Sequence, residues 1–258
     1  MITVNNLSKH FGGIKAVDGV DLHIDRGSIT GLVGPNGAGK TTMFNLIAGL
    51  YQPTEGEIIL DGEDVTELTS HQLFHKGLLR TFQIAHEFPT LSVLENLMMV
   101  PANQLGENLM NTWLKRRQIQ EEEKLLQEKA EEVIDFLSIS HLKNERAGNL
   151  SGGQKKLLEL ARTMMVDAKV VLLDEVGAGV NRTLLKQIGD AILRLNSERG
   201  YTFCMIEHDM DFISRLCNPV VVLAEGQILT TGTPDEIKSS DAVIEAYLGK
   251  GIKTEVAT

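Results

Sequence analysis

The sequence feature that most constrains the fold is a glycine-rich segment, Gly34-Pro35-Asn36-Gly37-Ala38-Gly39-Lys40-Thr41. It matches the pattern G-x-x-x-x-G-K-[ST] and lies between an apolar run at 29–33 and a helical pattern at 40–48, as a phosphate-binding loop requires. Glycines allow backbone N–H groups to converge on phosphate oxygens. In such a loop Lys40 can reach the β- and γ-phosphates, and the Thr41 hydroxyl can ligate Mg²⁺. The segment therefore predicts a site for a nucleoside triphosphate.

Short apolar runs alternate with helical patterns along the chain. The runs at 29–33, 170–173 and 202–206 are continuous, and a helix candidate follows each of them. Continuous apolar runs are typical of a parallel sheet that is covered on both faces. The alternation of strands with helices indicates an α/β core.

Two regions depart from this pattern. Residues 1–28 and 56–61 resemble short antiparallel strands, whereas residues 91–150 have almost no strand signal and carry apolar residues at helical spacing. The patterns predict an α/β core with a small antiparallel β subdomain and an inserted α-helical subdomain. With the phosphate-binding loop, this core resembles the P-loop NTPase (RecA-like) fold. We predict a single domain over 1–250, with the core and β subdomain at 1–83 and 168–250, the helical subdomain at 84–167, and a C-terminal tail at 251–258.

Charge and composition argue against several classes of protein. The chain has 25 Lys and Arg residues against 35 Asp and Glu residues, a net charge of −10, whereas a nucleic-acid-binding protein needs a basic surface. No run approaches the 18 or so consecutive apolar residues of a membrane-spanning helix. The two cysteines, Cys204 and Cys217, make neither a disulfide framework nor a metal-binding pattern, which favours a reduced, cytosolic protein.

The apolar run at 170–173 ends in two adjacent acids, Asp174 and Glu175. Neighbouring side chains on a strand point to opposite faces, so the two carboxylates need not share one role. Asp174 suits the shell of a magnesium ion, and Glu175 suits a general base that polarises an attacking water. A strand that merely ends in solvated acids is the alternative, and the presence of the phosphate-binding loop favours the functional interpretation.

A third motif, Leu150-Ser151-Gly152-Gly153-Gln154, precedes a helical run. Ser151 and Gln154 have the spacing of a capping box, which is a purely structural explanation. Two adjacent glycines are unfavourable in the first turn of a helix, however. We therefore expect them to allow the close approach of an anionic group to the backbone.

Together these motifs resemble the ATP-binding subunits of ABC transporters, over residues 1 to about 250. Residues 150–154 match the signature of that family, and Gln83 and His208 follow its order of motifs. The resemblance implies that Glu175, His208 and Gln83 act in catalysis. It implies that Thr41, Gln83 and Asp174 hold Mg²⁺. It also implies an ATP site with these members: Phe11, Val17, Gly34, Pro35, Asn36, Gly37, Ala38, Gly39, Lys40, Thr41, Thr42, Ser151, Gly152, Gly153 and Gln154.

Two of these positions carry further implications. In the family an aromatic residue at the position of Phe11 stacks on adenine, and a core or hairpin phenylalanine is the alternative here. The resemblance also implies that His208 contacts the γ-phosphate and the region of Glu175.

The sequence departs from the family pattern directly after the acidic pair. Val176-Gly177 stands where proline is common, and Asn181 stands where aspartate is usual. Proline would stiffen this segment, so valine and glycine are expected to leave it looser. The departure puts the coupling between two nucleotide sites in question and does not touch the carboxylates.

Four stretches, together with an extra helical segment near 113–116, resemble more narrowly the LivG-type ATPases of branched-chain amino-acid importers. The four stretches are 79–83, 91–97, 232–237 and 243–249. The implied function is an ATPase that powers import through ATP-driven dimerisation and hydrolysis. A urea or amide importer of the same type, a soluble non-transport ABC ATPase, and a regulatory module that holds nucleotide without turnover are the alternatives.

The resemblance also implies partners and a location. The partners are membrane-spanning subunits, a second ATPase subunit (identical or different) and, indirectly, a periplasmic or extracellular substrate-binding protein; no nucleic acid is expected. The chain is expected at the cytoplasmic side of the cell membrane, as a peripheral protein.

Overall fold

The computed structural model describes residues 1–81, 87–166 and 168–248. The chain divides into two compact units. The first comprises Met1–Arg80, Lys169–Val176 and the chain from Ile192 onward, and the second comprises Thr81–Ala168 and Gly177–Ala191. The sequence-based boundaries assigned 177–191 to the core, whereas in the structure these residues belong with the helices of the second unit.

All the strands described here belong to the first unit. They are β1 (Ile2–Phe11), β2 (Ile14–Ile24), β3 (Ile29–Val33), β4 (Glu55–Leu60), β5 (Glu63–Asp64), β6 (Leu78–Arg80), β7 (Val170–Asp174), β8 (Thr202–Ile206), β9 (Val220–Ala224) and β10 (Gln227–Gly232).

The helices are distributed over both units. Those of the first unit are α1 (Lys40–Ile47), α2 (Ser70–His75), α8 (Met210–Leu216), α9 (Pro234–Ser239) and α10 (Asp241–Leu248). Those of the second unit are α3 (Val93–Met98), α4 (Leu109–Leu114), α5 (Arg116–Phe136) and α6 (Gly152–Met164), with 3₁₀ turns at Leu105–Glu107, Ser140–Leu142 and Ala147–Asn149. Helix α7 (Arg182–Arg199) begins in the second unit and ends in the first.

The larger sheet of the first unit positions the site. Within the described residues it has six strands in the order β10-β9-β3-β8-β7-β6, parallel except for β10, which runs antiparallel to β9. Every residue of β3, β7 and β8 is buried, as their continuous apolar sequences predict. Because the carboxyl ends of parallel strands meet at one edge, this edge carries the loop after β3, the acids that end β7 and the residues that follow β8.

The smaller sheet confirms the predicted antiparallel region. Its order is β2-β1-β4-β5, and β1 pairs antiparallel with both β2 and β4. Both sheets contribute to one apolar core, in which Phe44 of α1 and Ile2 of β1 are fully buried. Burial of this area provides the main stabilisation of the unit.

The second unit consists of helices whose starts are set by capping side chains. Ser92 and Glu95 form a capping box at α3, and Ser151 and Gln154 form the predicted one at α6. Helix α5 packs through Ala130, Val133 and Ile134, all in its C-terminal half. No helix in the described part of the chain is long and apolar enough to cross a membrane.

Candidate nucleotide-binding site

The loop between β3 and α1 is held in shape by packing against neighbouring backbone. Gly34 and Gly39 have φ values of 150° and 101°, and a Cβ atom at these positions would lie 2.0 Å from the Leu223 carbonyl oxygen and 2.2 Å from the Ala16 carbonyl oxygen. No side chain fits at either distance, so both positions require glycine. Gly37 also has a positive φ, of 80°, but a Cβ atom there would meet nothing within 4 Å.

Lys40 spans the inside of this loop. Its Nζ donates to the carbonyl oxygen of Gly34 over 2.7 Å and to that of Pro35 over 3.0 Å. Burial lowers the pKa of the Lys40 ammonium, and the negative charges of Glu175 and Asp174 oppose this effect. The structure thus holds a partly desolvated cation at the centre of the predicted phosphate site.

Asp174 ends β7 and is buried. Its Oδ2 accepts a hydrogen bond from Nη2 of Arg80 over 2.7 Å, and the Arg80 side chain is buried as well. Arg80 also donates to the side chain of Asn45, and its guanidinium lies 5.9 Å from the ring centroid of Phe44. Sequence reasoning assigned Arg80 no role, although an arginine that closes an otherwise apolar strand is a signal for a buried partner.

Glu175 and His208 are brought together at the same edge of the sheet. His208 Nε2 lies 2.9 Å from Glu175 Oε1, where the carboxylate accepts and the ring N–H donates. The backbone of Glu175 is left-handed, with φ of 49°, and its N–H donates to the Ile206 carbonyl oxygen over 2.9 Å. A non-glycine residue in this region is strained, and such strain concentrates at functional sites.

The oxygen donors at this edge fit a magnesium ion. Thr41 lies in the first turn of α1, is exposed and supplies a hydroxyl oxygen. Asp174 supplies a carboxylate. Mg²⁺ is bound in proteins by one or two such oxygens together with phosphates of the substrate and water. No cluster of three His, Cys, Asp or Glu side chains suited to a metal occurs in the described residues.

An aromatic surface lies at the end of β1. Phe11 is 45% exposed, its ring centroid lies 5.5 Å from that of Tyr51 in an edge-to-face arrangement, and Lys9 Nζ lies 5.4 Å from the Phe11 centroid. The ring is therefore open to stacking, and Tyr51 is an aromatic neighbour that sequence reasoning missed. Val17 is 0% exposed and lies in the core, so a direct contact between Val17 and a ligand is not supported.

The C-terminal helix α10 contacts the start of the loop. Burial raises the pKa of Tyr247, and the nearby backbone of Gly34 opposes this effect, so the phenol of α10 lies close to the first residue of the loop. A cleft of about 550 Å³ separates loop residues 35–38 from Ala242, Glu245 and Ala246 of α10. Nothing in the spacing of residues along the chain indicated this contact.

The signature motif lies in the second unit, and one of its glycines has a structural explanation. A Cβ atom on Gly153 would lie 2.6 Å from Cδ1 of Leu184, so packing against this leucine by itself requires glycine at position 153. The approach of an anion to the backbone of these glycines stays a prediction. Gly152 and Ser151 are exposed, and a Cβ atom on Gly152 would meet only the Gly179 carbonyl oxygen within 4 Å, at 3.9 Å.

The remaining predicted residues of the loop differ in their exposure to solvent. Asn36, Gly37 and Thr41 are exposed, Pro35 and Thr42 are half-buried, and Ala38 is buried. Gln83, predicted for catalysis and the metal shell, lies outside the described residues. Asn181, which stands in the place of the usual aspartate, accepts a hydrogen bond through Oδ1 from the N–H of Leu184 over 3.0 Å, a contact that caps α7.

Comparisons with known proteins agree with this geometry. Residues 17–178 match the family described as ABC transporter, and residues 227–253 match the segment described as branched-chain amino acid ATP-binding cassette transporter. The fold is similar to the crystal structure of a nucleotide-free ATP-binding cassette from an ABC transporter, with 36% identity, a TM-score of 0.83, and coverage of 97% of this chain and 99% of that one.

Similar relatives match over nearly their whole length. A probable branched-chain amino acid transport ATP-binding protein LivG of Archaeoglobus fulgidus is 39% identical, over 96% of this chain and 95% of the relative. The high-affinity branched-chain amino acid transport ATP-binding protein BraF of Pseudomonas aeruginosa is 37% identical, over 97% and 98%. The chain therefore belongs to the ABC transporter family and is one of its ATP-binding cassette ATPases.

Proposed function

We propose that this ATPase powers the import of branched-chain amino acids. The observation that carries the ATPase part is the convergence of Lys40, Asp174, Glu175 and His208 at one edge of the parallel sheet. The substrate class is supported by the family match at residues 227–253 and by the names of the relatives.

The proposed hydrolysis follows from the contacts of the individual side chains. The backbone of residues 34–39 and the Lys40 ammonium bind the phosphates, and Phe11 stacks on the base. The Thr41 hydroxyl and the Asp174 carboxylate would hold Mg²⁺, and the ion would supply neutralisation of charge on the phosphate oxygens. Glu175 accepts a proton from a water molecule while the oxygen of that water attacks the γ-phosphorus. The bond between the γ-phosphorus and the β–γ bridging oxygen breaks, which releases ADP and phosphate.

His208 orients the base in this scheme. Its 2.9 Å contact with Glu175 fixes one carboxylate oxygen, which leaves the other to accept the proton. Hydrogen bonds to a carboxylate of this kind hold a catalytic group in its productive orientation.

The proposal includes a second ATPase subunit. Ser151 and Gly152 are exposed at the N-terminus of α6, where backbone N–H groups favour anions. We place the signature of one subunit against the γ-phosphate bound by the other, so that ATP binding closes the dimer and hydrolysis opens it. Membrane-spanning subunits are proposed to dock near residues 83–100, with a substrate-binding protein acting indirectly through them.

The ATPase assignment is tested by the Glu175→Gln variant. The amide cannot accept the proton, so kcat is expected to fall by about a hundredfold or more while ATP binding persists. Glu123→Gln, an exposed residue of α5, is the matched control. Unchanged turnover in Glu175→Gln with intact ATP binding would show that Glu175 is not the base.

The substrate class is tested in cells that lack this chain. Uptake of radiolabelled leucine is expected to fail and to be restored by the wild-type chain but not by Glu175→Gln. Loss of urea or amide uptake with normal leucine uptake would indicate an importer of the same type for those substrates. Normal uptake of all three would favour a role outside transport.

A further inference from the structure

Helix α4 of the second unit exposes a continuous apolar face. Leu109 is 85% exposed, Met110 69%, Trp113 88% and Leu114 77%. Residues three and four positions apart are neighbours on a helix, so the pairs 109/113, 110/113 and 110/114 join these four side chains into a single surface. We call these four residues the α4 face.

This face does not belong to the packed part of the unit. Helix α4 has no buried residue, and its main contacts are with the 3₁₀ turn at Leu105–Glu107 and with α5. The N-terminal half of α5 has no buried residue either. An exposed apolar cluster of this kind marks an interaction surface, because burying it in water-free surroundings is favourable.

Positive charge follows the face directly. Lys115, Arg116 and Arg117 are exposed, and residues 109–120 contain no acidic residue, although the whole chain has a net charge of −10. Arg117 pairs with Glu121 over 3.1 Å, at a site that is open to solvent. Exposed pairs of this type are weak, so Arg117 can exchange its carboxylate for a phosphate.

We propose that the α4 face docks on the surface of an anionic lipid bilayer. Leucine and methionine side chains would enter the boundary of the acyl chains, Trp113 would lie at the headgroups, and Lys115, Arg116 and Arg117 would contact lipid phosphates. An apolar face with an interfacial tryptophan and adjacent basic residues is typical of helices that lie on membranes. Charge complementarity favours a lipid surface over the apolar surface of a protein, since three adjacent cations need an anionic partner.

The inference deepens the proposed function by adding a contact between the ATPase and lipid, and it can fail without affecting that function. ATP turnover without vesicles depends on the nucleotide site in the first unit. Vesicle binding depends on the α4 face.

Trp113 provides the measurement, since it is the single tryptophan of the chain. The purified full-length protein is titrated with vesicles of phosphatidylcholine alone and with vesicles of equal parts phosphatidylcholine and phosphatidylglycerol. The expected result is a blue shift of Trp113 emission with the anionic vesicles, quenching by brominated acyl chains, and weaker binding at high salt.

Two variants separate the contributions of charge and apolar area. The triple variant Lys115→Gln, Arg116→Gln and Arg117→Gln is expected to weaken binding to the anionic vesicles by roughly a hundredfold. The double variant Leu109→Gln and Met110→Gln is expected to abolish quenching by brominated chains. Leu125→Gln, at a residue of α5 that is 67% exposed and outside the face, is the matched control and should bind like the wild type.

Three outcomes would overturn the proposal. One is the absence of any Trp113 shift with anionic vesicles, and another is equal binding to both kinds of vesicle by the wild type and the triple variant. The third is a shift of Trp113 emission that occurs only when the membrane-spanning subunits are added in detergent, without lipid. That result would show that the α4 face contacts a protein. Normal ATP turnover of each variant in solution verifies that it is folded.

Discussion

Asp174 accepts a hydrogen bond from Arg80 over 2.7 Å, and the pair ties the last residue of β7 to the last residue of β6. Both side chains are buried. The carboxylate that is proposed to bind Mg²⁺ is thus positioned by a cation of the neighbouring strand. This buried ion pair joins the carboxyl ends of β6 and β7.

Removing Arg80 is expected to destabilise the fold. Arg80→Gln leaves the buried Asp174 carboxylate without this guanidinium, at a cost of about 3 kcal/mol in the free energy of unfolding. Arg26→Gln removes a surface ion pair with Asp61, also at 2.7 Å, and should cost less than about 1 kcal/mol. Chemical denaturation measures both free energies of unfolding. Equal losses in the two variants would show that the buried ion pair stabilises the fold no more than the surface one.

His208 is predicted to act as a positioning residue. His208→Ala removes the donor to Glu175 and is expected to lower kcat by about a hundredfold with little change in KM for ATP. His208→Gln retains an N–H donor and should recover part of the rate. Steady-state ATPase kinetics test this, with the exposed His141→Ala as control; a rise in KM alone would instead place His208 in ground-state binding.

The phosphate-binding loop offers a matched pair of glycines. Gly39→Ala puts a Cβ atom 2.2 Å from the Ala16 carbonyl oxygen and is expected to cost about 3 kcal/mol of stability and to abolish ATP binding. Gly37→Ala has a positive φ but free space, and should cost about 1 kcal/mol. Thermal unfolding and nucleotide titration compare the two, and similar effects would mean that backbone strain outweighs the clash.

Tyr247 is predicted to position the loop from α10. Tyr247→Phe removes the hydroxyl that lies close to the Gly34 backbone and is expected to raise KM for ATP about fivefold with kcat unchanged. Because the pKa of this hydroxyl is raised, it stays neutral below pH ~10, so the difference should persist through neutral pH. Kinetics identical to the wild type would rule out this role.

The two cysteines are predicted to be inert in the folded protein. Burial raises the pKa of Cys204 from 9.0 to about 12 and also raises that of Cys217. Because the pKa of Cys204 is higher in the folded than in the unfolded protein, its contribution to the free energy of unfolding is fully present below pH 9. That contribution is lost as the pH rises from 9 towards 12. A thiol reagent should label neither cysteine natively and both after denaturation, and rapid native labelling would contradict this.

Sequence reasoning reached the parallel sheet and its functional edge because both depend on local patterns. The buried strands β3, β7 and β8 are mostly apolar, and the loop glycines and the acidic pair lie at the carboxyl ends of β3 and β7. These patterns connect residue type to position without knowledge of distant contacts.

Contacts between segments far apart in the chain had no such signal. The pairing of Arg80 with Asp174, the packing of Leu184 on Gly153 and the contact of Tyr247 with Gly34 each join distant parts of the sequence. The two glycines of the signature look alike in sequence, yet only Gly153 is crowded by a side chain. Tertiary packing decides such cases, so the sequence alone could not separate them.

The carbonyl groups that crowd Gly34 and Gly39 belong to Leu223 and Ala16, outside the phosphate-binding motif. Selection for a stable fold would therefore keep both glycines even in a descendant that had stopped hydrolysing ATP. Among proteins of this architecture, an intact glycine pattern therefore indicates that the fold is retained and does not by itself indicate ATP hydrolysis. Loss of activity should appear first at Glu175 and His208, whose exchange leaves the backbone packing of the loop untouched.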